Sequence, residues 1–289
     1  MSAVDNRAAG GTPVPPAKKI TAEDILGKTS IWEKLESAAG MGQLFVSSMK
    51  LGLRPPFKWL RPALVEGSFM LRRCFVPLAV SIAVFMIGFG FFVLGGITEV
   101  LGATDREGGA VIIGFLREAA IWTTGMIFAG VAGSAMAADL GSRKVREELD
   151  ALSVLGVDQI RTLVVPKVMA SIVIAPLLGM FAILAIETVN FGLAPQEFGF
   201  PRGVLFASTK GSLISLDVYG ALIRYVIIGA FVSVIACYKG LTCKGGTEGV
   251  GRAVNETIVL TFFGVWMLDA FFNLAYLSLF PAAQVDFKG

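Results

Sequence analysis

Five long apolar segments restrict the fold of this chain more than any other feature of its sequence. A helix must run for about 20 mostly apolar residues to cross the hydrocarbon core of a bilayer, and each of the five segments is long enough. Such segments cross as helices, because the bilayer core offers the backbone no hydrogen-bond partner outside the segment itself. The sequence therefore predicts an all-α integral membrane protein whose spans are Phe75–Ile97, Ala110–Ala138, Leu163–Phe191, Val218–Cys237 and Val254–Phe280.

The composition agrees with a bilayer environment and argues against several kinds of active site. Hydrophobic residues make up 55% of the chain and charged residues 16%, against about 25% charged residues in a typical soluble domain. The sequence contains no histidine, which excludes histidine general bases and histidine metal ligands. Cys74, Cys237 and Cys243 have neither metal-ligand nor redox spacing. We therefore interpret them as small apolar residues and predict no metal site and no catalytic residue.

Lysine and arginine are concentrated in alternate loops. Eleven precede the first predicted span, five lie in or beside the loop between the second and third spans, and three lie between the fourth and fifth. The three remaining regions hold only four. Loops on the cytoplasmic side carry an excess of Lys and Arg. The N-terminus is therefore predicted to be cytoplasmic and, with five spans, the C-terminus to lie outside.

An amphipathic helix is predicted before the first span. Its end is set by Pro55 and Pro56, which cannot continue a helix. Two interpretations are open: a solvated helix packed on its own protein, or an interfacial helix on the inner leaflet anchored by Trp32 and Trp59. The basic flanking residues favour the interfacial helix. The apolar positions, spaced by three and four residues, are Ile31, Leu35, Ala38, Gly42, Phe45 and Met49.

The charged loop between the second and third spans is patterned like a short helix over residues 142–155. Ser142 is a candidate N-cap, Gly156 a candidate left-handed C-terminal residue, and Asp158 a candidate cap for the next helix. Such a helix could cover the end of its own bundle. It could instead dock on a partner, which would also explain an acidic cluster in a loop of this kind. The predicted apolar face consists of Val145, Leu149, Leu152 and Leu155, and the polar face includes Arg146, Glu147 and Asp150.

Seven stretches carry a recognisable pattern, in this order along the chain: Ala129–Gly130, Gly133–Ala135, Ala138–Gly141, Glu148–Leu152, Leu155–Asp158, Leu163–Lys167 and Gly245–Ala253. Together they resemble the MlaE/YrbE permease family. The long N-terminal tail is most similar to that of the actinobacterial YrbE subunits of Mce systems. The resemblance covers roughly residues 30 to 280. Asp139, Gln159 and Val131 depart from residues that are frequent in that family, which weakens the transfer of any single charge contact.

The resemblance implies the membrane subunit of an ABC-type lipid transporter in the plasma (inner) membrane. The implied partners are a second, related YrbE-type permease, a cytoplasmic ABC ATPase dimer, MCE-domain proteins on the outer side and a lipid substrate; no nucleic acid is implied. The lipid would be a fatty or mycolic acid, a phospholipid or a sterol. ATP and Mg²⁺ would be bound by the ATPase and not by this chain. The implied ATPase-coupling residues are Val145, Glu147, Glu148, Leu149, Asp150, Leu152, Leu155, Gly156 and Asp158.

The chain is predicted not to be an enzyme. Gly27-Lys28-Thr29 looks like the end of a phosphate-binding loop, but Ala22 stands where that loop needs glycine. The alternatives to an ATP-driven permease are an ATP-independent lipid channel or carrier, for which we see no internal repeat, and a membrane scaffold for MCE proteins.

These expectations divide the chain into four parts. A tail rich in alanine, glycine and proline is predicted to be disordered and cytoplasmic. An interfacial helix with a connector precedes the permease domain, which contains the coupling helix 142–155, and a short external tail follows. The predicted ranges are 1–29, 30–74, 75–280 and 281–289.

Two further groups of residues within the predicted spans are candidate sites. Arg224 and Asp269 lie at similar depth in the fourth and fifth spans, so they could form a buried pair or line a polar part of a lipid path. Arg117, Glu118 and Glu187 lie nearer the outer boundary and are expected to snorkel. Small residues allow close helix packing, within one subunit or between two; they recur every four residues at Ala129, Gly133, Ala137 and Gly141.

Overall fold

The computed structural model describes residues 31–197, 199 and 201–279 of the 289-residue chain. The predicted tails, residues 1–29 and 281–289, lie outside the described residues, as does the side chain of Trp32. Within the described residues every regular element is helical. This confirms the prediction of an all-α fold.

Five helical segments among the described residues are long and apolar enough to cross a membrane, as the sequence predicts. Their most apolar windows have mean hydropathies between 1.4 and 2.5. Three further helices lie outside them: α1 (Ile31–Leu53), α2 (Glu148–Val154) and α3 (Arg202–Ser212). The five segments are span 1 (Leu60–Val100), span 2 (Thr104–Val145), span 3 (Ile160–Glu197), span 4 (Ser215–Leu241) and span 5 (Gly246–Tyr276).

Span 1 begins at Leu60, so the expectation that residues 60–74 form a connector is wrong. Charged residues such as Arg61, Glu66 and Arg72 lower the hydropathy of this stretch, but they do not interrupt its helical pattern. One face stays buried from the first turn onwards, at steps of three and four residues. Its members are Ala63, Gly67, Met70, Cys74, Leu78 and Ile82.

Spans 1, 2 and 3 contain π-helical segments, which insert an extra residue into a turn and are frequent at functional sites. Span 4 is α-helical throughout, and the helix of span 5 continues to Leu279. The α-helical parts of the other spans are Leu60–Phe85 and Gly96–Val100; Glu107–Gly114, Ala120–Ile127 and Ser134–Val145; and Val165–Glu197. The π-helical parts are Met86–Gly95, Phe115–Ala119, Phe128–Gly133 and Ile160–Val164, and a short 3-10 turn covers Thr104–Arg106.

Span 4 lies at the centre of the bundle and span 5 at its edge. In the most apolar window of span 4, 72% of the residues are buried, whereas in span 5 only 17% are. Span 4 packs closely on span 3, where Gly229 lies against the backbone of Ser171 and Gly179 against the ring of Tyr225. Glycine permits this close approach because it has no Cβ atom.

The stripe of small residues in span 2 faces spans 4 and 5 of the same chain. Ala129, Gly133, Ala137 and Gly141 are all buried. A Cβ atom added to Gly133 would lie 3.0 Å from Val232, and one added to Gly141 would lie 3.4 Å from Val250. The stripe therefore serves packing within one subunit.

The chain divides into two compact units, residues 1–40 and 41–289. Of the first unit the structure describes residues 31–40, which are helical. In the second unit, Met41 and Leu44 pack with Leu140 and Val168, and Trp59 Nε1 donates a hydrogen bond of 2.9 Å to the carbonyl of Gly52. Met41, Leu44 and Trp59 thus contact their own chain. Of the predicted apolar face, Leu35, Ala38, Gly42 and Phe45 are exposed, as the interfacial interpretation expects.

We expect Gly229→Ala to destabilise the bundle by about 1–3 kcal/mol, because the new Cβ would overlap the carbonyl oxygen of Ser171. Gly192→Ala is the matched control, since a Cβ at Gly192 in span 3 meets no atom within 4 Å. Denaturant titration of the purified protein in micelles measures both. Equal stability of the two variants would contradict the close packing of spans 3 and 4.

Candidate functional site

The loop between spans 2 and 3 contains a shorter helix than the sequence predicts. Span 2 continues as a helix to Val145, so Ser142 is not an N-cap; its hydroxyl donates to the carbonyl of Asp139 at 2.9 Å. Serine inside a helix commonly bonds to the preceding turn in this way. The chain breaks at Glu147, which has a left-handed φ of 61°, and α2 follows from Glu148 to Val154.

The end of this loop has the turn chemistry that the sequence predicts. Gly156 has a φ of 74°, which a glycine adopts without steric cost. Asp158 Oδ1 then accepts hydrogen bonds from the backbone N–H groups of Ile160 at 2.9 Å and Arg161 at 3.2 Å. The side chain of Gln159 donates back to the carbonyl of Leu149. These bonds tie α2 to the start of span 3.

The apolar face predicted for residues 142–155 is divided between two environments. Leu149 is 1% exposed, and Val145 and Leu152 are half-buried. At the tip of the helix, by contrast, Val154 is 88% exposed and Leu155 is 75% exposed. Leu149 therefore anchors α2 to its own chain, and the tip presents apolar side chains that nothing in the described part of the chain covers.

The acidic residues of the loop are mostly paired within the loop. Glu148 lies 2.8 Å from Arg146 Nε and 3.7 Å from Arg143 Nη1, and Asp150 lies 2.8 Å from Lys144 Nζ. Glu147 forms no ion pair with any described residue. Exposed pairs of this kind contribute little to stability. Because acidic and basic residues are nearly equal in number, the loop has almost no net charge. Its distinctive feature is the apolar tip of α2.

An ion cluster centred on the buried Lys167 lies beneath this loop, and the sequence indicated Lys167 only as one of the cations in or beside the loop. Lys167 Nζ lies 2.6 Å from Glu66 Oε1 in span 1 and 3.0 Å from Asp139 Oδ2 in span 2. Arg143 Nε contacts the other oxygen of Asp139 at 3.1 Å. The Lys167 side chain is only 5% exposed. Together with Glu148, these residues form a continuous chain of charges from α2 into spans 1, 2 and 3.

We call the end of the bundle that carries α2 the basic end, and the end where span 1 leads into span 2 the opposite end. Towards the opposite end, Arg224 Nη1 lies 3.1 Å from Asp269 Oδ1, and both side chains are almost fully buried. Trp122 Nε1 donates to Asp269 Oδ2 at 2.9 Å. The structure thus brings together the two residues that the sequence places at similar depth.

The expectation that Arg117 and Glu118 snorkel is wrong. Arg117 holds Asp217 of span 4 through two hydrogen bonds of 3.1 and 3.0 Å, and Glu118 accepts a hydrogen bond from Asn273 of span 5. Both residues lie in the π-helical segment Phe115–Ala119, which turns them towards partners on spans 4 and 5. The backbone carbonyl of Arg117 also accepts a hydrogen bond from Arg224, which joins the two pairs into one network.

This polar network borders an apolar cavity of about 240 Å³. Arg224 and Asp269 lie in its wall beside five apolar or aromatic side chains, Ile227, Ile228, Leu268, Phe271 and Phe272. Pockets that combine an apolar wall with a few polar groups are suited to amphipathic ligands. The arrangement can hold an apolar chain next to a fixed charge pair.

Known proteins resemble this chain over more than half of its length. The sequence profile of the family described as Permease MlaE matches residues 73–275. The chain is 33% identical over 169 residues to Protein TRIGALACTOSYLDIACYLGLYCEROL 1, chloroplastic, of Arabidopsis thaliana, covering 58% of this chain and 48% of that protein. It is 31% identical over 172 residues to the probable ABC transporter permease protein slr1045 of Synechocystis, covering 60% and 65%.

A probable ABC transporter permease protein of Rickettsia bellii is 30% identical over 169 residues, covering 57% of this chain and 65% of that protein. The matched segment thus spans between about half and two thirds of the length of these relatives. Both the α2 loop and the Arg224–Asp269 pair fall within the range that the family profile matches.

We expect Arg224→Met to destabilise the protein by about 3–5 kcal/mol, because it leaves Asp269 as an unpaired buried charge. Lys239→Met is the control: Lys239 and Glu256 join the same two spans at 2.8 Å, but both are more exposed, so the loss should stay below about 1 kcal/mol. Unfolding free energies measure both. A double-mutant cycle with Asp269→Leu should recover part of the loss, and strict additivity would argue against the pair.

Proposed function

Because the chain belongs to the MlaE permease family, we propose that it is the transmembrane permease subunit of an ABC-type Mce lipid transporter. The chain is a multi-pass membrane protein. In this role it moves hydrophobic lipids across the inner membrane with energy from ATP that a separate subunit hydrolyses. The basic end then faces the cytoplasm, with the N-terminus inside and the C-terminus outside, as the distribution of Lys and Arg indicates.

The exposed apolar tip of α2 is the observation that carries this proposal. Val154 and Leu155 project from a helix that Leu149 and the hydrogen bonds of Gln159 fix to the bundle. A rigid helix with an apolar tip fits a groove on a partner. The proposed partner is the cytoplasmic ABC ATPase dimer, to which we assign the binding of ATP and Mg²⁺.

The ion cluster around Lys167 supplies a route by which the ATPase moves the spans. A displacement of α2 acts on Arg143 through Glu148, and Arg143 shares Asp139 with Lys167. Lys167 in turn holds Glu66 in span 1. Closure of the ATPase dimer would thus reach three spans through charge contacts, and the shape of the lipid pocket would change with them.

The proposed substrate is a lipid with a long apolar part, such as a fatty or mycolic acid, a phospholipid or a sterol. The apolar cavity beside Arg224 and Asp269 supports this substrate class. An acyl chain loses little free energy on leaving the bilayer for such a wall.

The exposed face of span 5 supports pairing with a second permease, a related but different chain. This face is rich in large apolar and aromatic residues, and so little of span 5 is buried in its own chain that a partner helix has room to pack. MCE-domain proteins are the proposed partners at the opposite end, outside the membrane. The exposed residues of span 5 include Val259, Phe263, Trp266, Phe271 and Leu274.

We expect the double variant Val154→Asp and Leu155→Asp to lose co-purification of the ATPase by roughly tenfold or more, because two exposed anchor residues become charged. Val100→Asp is the matched control: Val100 is 87% exposed, as Val154 is at 88%, but lies at the opposite end. Pull-down of the complex from membranes measures the ratio of the subunits. Stoichiometric ATPase on the double variant would exclude α2 as the docking site.

Lys167→Met tests the route through the ion cluster. We expect the ATPase to remain bound while lipid-stimulated ATP hydrolysis falls by about 2- to 30-fold, since the contacts that link α2 to span 1 are lost. Lys167→Arg keeps the charge and should retain most of the activity. Unchanged hydrolysis in the Met variant would show that coupling takes another path, and unchanged lipid movement without any hydrolysis would favour a channel or a scaffold.

A further inference from the structure

Glu187 in span 3 does not snorkel, contrary to the expectation from its position in the sequence. Both of its carboxylate oxygens are buried and have no hydrogen bond to any described residue. They are closed to a ligand that approaches from outside. A site for a charged ligand therefore has to use side chains that water or lipid headgroups can reach, and two such side chains meet at the basic end.

A cavity of about 360 Å³ lies at the basic end, where the connection between α1 and span 1 meets the first turns of span 3. Its volume falls in the range of ligand-binding pockets in general, roughly 300–1,000 Å³. Lys58 and Arg161 lie in its wall, and both are exposed. Among the described residues, no carboxylate lines this cavity. Its charged groups are thus all positive.

These two cations differ from their neighbours at the same end of the bundle. Lys144 Nζ and Arg146 Nε each lie 2.8 Å from a carboxylate oxygen, whereas Lys58 and Arg161 form no ion pair with any described residue. Asp158 is close to Arg161 in sequence, but its carboxylate accepts backbone hydrogen bonds and does not line the cavity. The fold therefore brings two uncompensated positive charges from distant segments to one cavity, which attracts an anion.

The shape of the cavity is fixed by stiff residues. Trp59 lies in the wall, and its Nε1 donates a hydrogen bond of 2.9 Å to the carbonyl of Gly52, which holds the indole ring in place. The wall also contains Pro56, Pro62 and Pro166, and the proline ring restricts the backbone. A site that is formed before its ligand arrives loses less conformational entropy on binding.

The cavity lies at the level of the lipid headgroups. At a rise of 1.5 Å per residue, Pro166 and Arg161 are roughly 17 Å and 24 Å from Leu177, the middle of the apolar run Leu163–Phe191. The hydrocarbon core of a bilayer extends about 15 Å from its centre, and the headgroups extend to about 20–22 Å. The wall thus crosses the headgroup layer, where tryptophan residues such as Trp59 are enriched.

We propose that this cavity binds the headgroup of one anionic phospholipid of the inner leaflet, with its phosphate between Lys58 and Arg161. The hydroxyl of Thr162, which also lies in the wall, donates a hydrogen bond to a phosphate oxygen. The acyl chains stay in the bilayer, beside exposed apolar side chains such as Leu60 and Leu64. Basic pockets between membrane helices on the cytoplasmic side bind headgroups of this kind.

The bound lipid is a resident lipid and not the transported one, so this site goes beyond the proposed function. Only its assignment to the inner leaflet rests on the proposed orientation of the chain. The lipid joins the connection between α1 and span 1 to the start of span 3, close to the loop that carries α2. Its occupation requires neither the ATPase nor a second permease.

Net charge selects among the membrane lipids. Phosphatidylglycerol carries one negative charge and no cation, so its phosphate meets the two positive side chains without a competing group. Phosphatidylethanolamine and phosphatidylcholine carry an ammonium group beside the phosphate, and Lys58 and Arg161 repel it. A soluble phosphate compound has the charge but lacks acyl chains that keep it at the bilayer surface.

The test uses the full chain in nanodiscs of phosphatidylcholine that contain a small fraction of phosphatidylglycerol with a photoreactive group close to the glycerol backbone. After illumination, mass spectrometry locates the labelled peptides. We expect labels on residues 56–62 and 161–166. The double variant Lys58→Gln and Arg161→Gln should reduce this labelling roughly 10- to 30-fold, because each basic residue near the surface contributes to the binding of an anionic lipid.

The matched control is the double variant Arg54→Gln and Arg72→Gln. It removes the same charge from the basic end, at two exposed cations that lie outside the cavity, and should keep most of the labelling. Both double variants replace exposed residues that form no ion pair with described residues, so neither should change the stability of the bundle appreciably.

Three results would overturn the proposal: no label on either segment, equal labelling of the two double variants, or equal labelling by a phosphatidylcholine probe. Displacement of the label by free glycerol 3-phosphate at the concentration of the lipid probe would overturn the choice of a lipid as the occupant. Co-purification of the ATPase with the same variants separates this proposal from the proposed function, since an intact complex without labels removes the lipid site alone.

Discussion

A charge inside a lipid bilayer needs a counter-charge from a neighbouring helix, and this requirement ties the five spans together at two levels. Near the basic end, Lys167 joins spans 1, 2 and 3 through Glu66 and Asp139. Towards the opposite end, Arg117 and Arg224 join span 2 to span 4 and span 4 to span 5. Apolar side chains gain little free energy when they exchange contacts with lipid for contacts with one another. The polar contacts therefore determine which spans lie next to each other.

The spans could be predicted because a run of apolar residues is a local property of the sequence. The start of span 1 could not be predicted from hydropathy, since Arg61 and Glu66 interrupt the apolar run and yet lie on the side of a continuous helix that is not buried. Helix α2, in the loop between spans 2 and 3, was likewise predicted only in part. Leu149 and Leu155 repeat with the same period, although the first is buried on its own chain and the second is exposed. Periodicity identifies an apolar face but not what covers it.

The partners of the buried charges are harder to predict, because they are far apart in the chain. Arg117 and Asp217 are 100 residues apart, and Lys167 and Glu66 are 101 apart. Arg224 and Asp269 could be paired from the sequence because both lie deep in adjacent spans, with opposite charge and no access to water. Arg117 lies closer to the boundary, where snorkelling is an equally reasonable expectation, and only the π-helical turn around it shows that it faces inward.

The uneven burial of the spans has a consequence for how such a protein diversifies. Substitutions in span 4 disturb the packing of the whole bundle, because most of that helix is enclosed by its neighbours. Substitutions on the outward face of span 5 leave the interior as it is. After gene duplication, two copies that pair through this face, as proposed above, can therefore diverge on it until each prefers the other to itself, while both keep the same folded core.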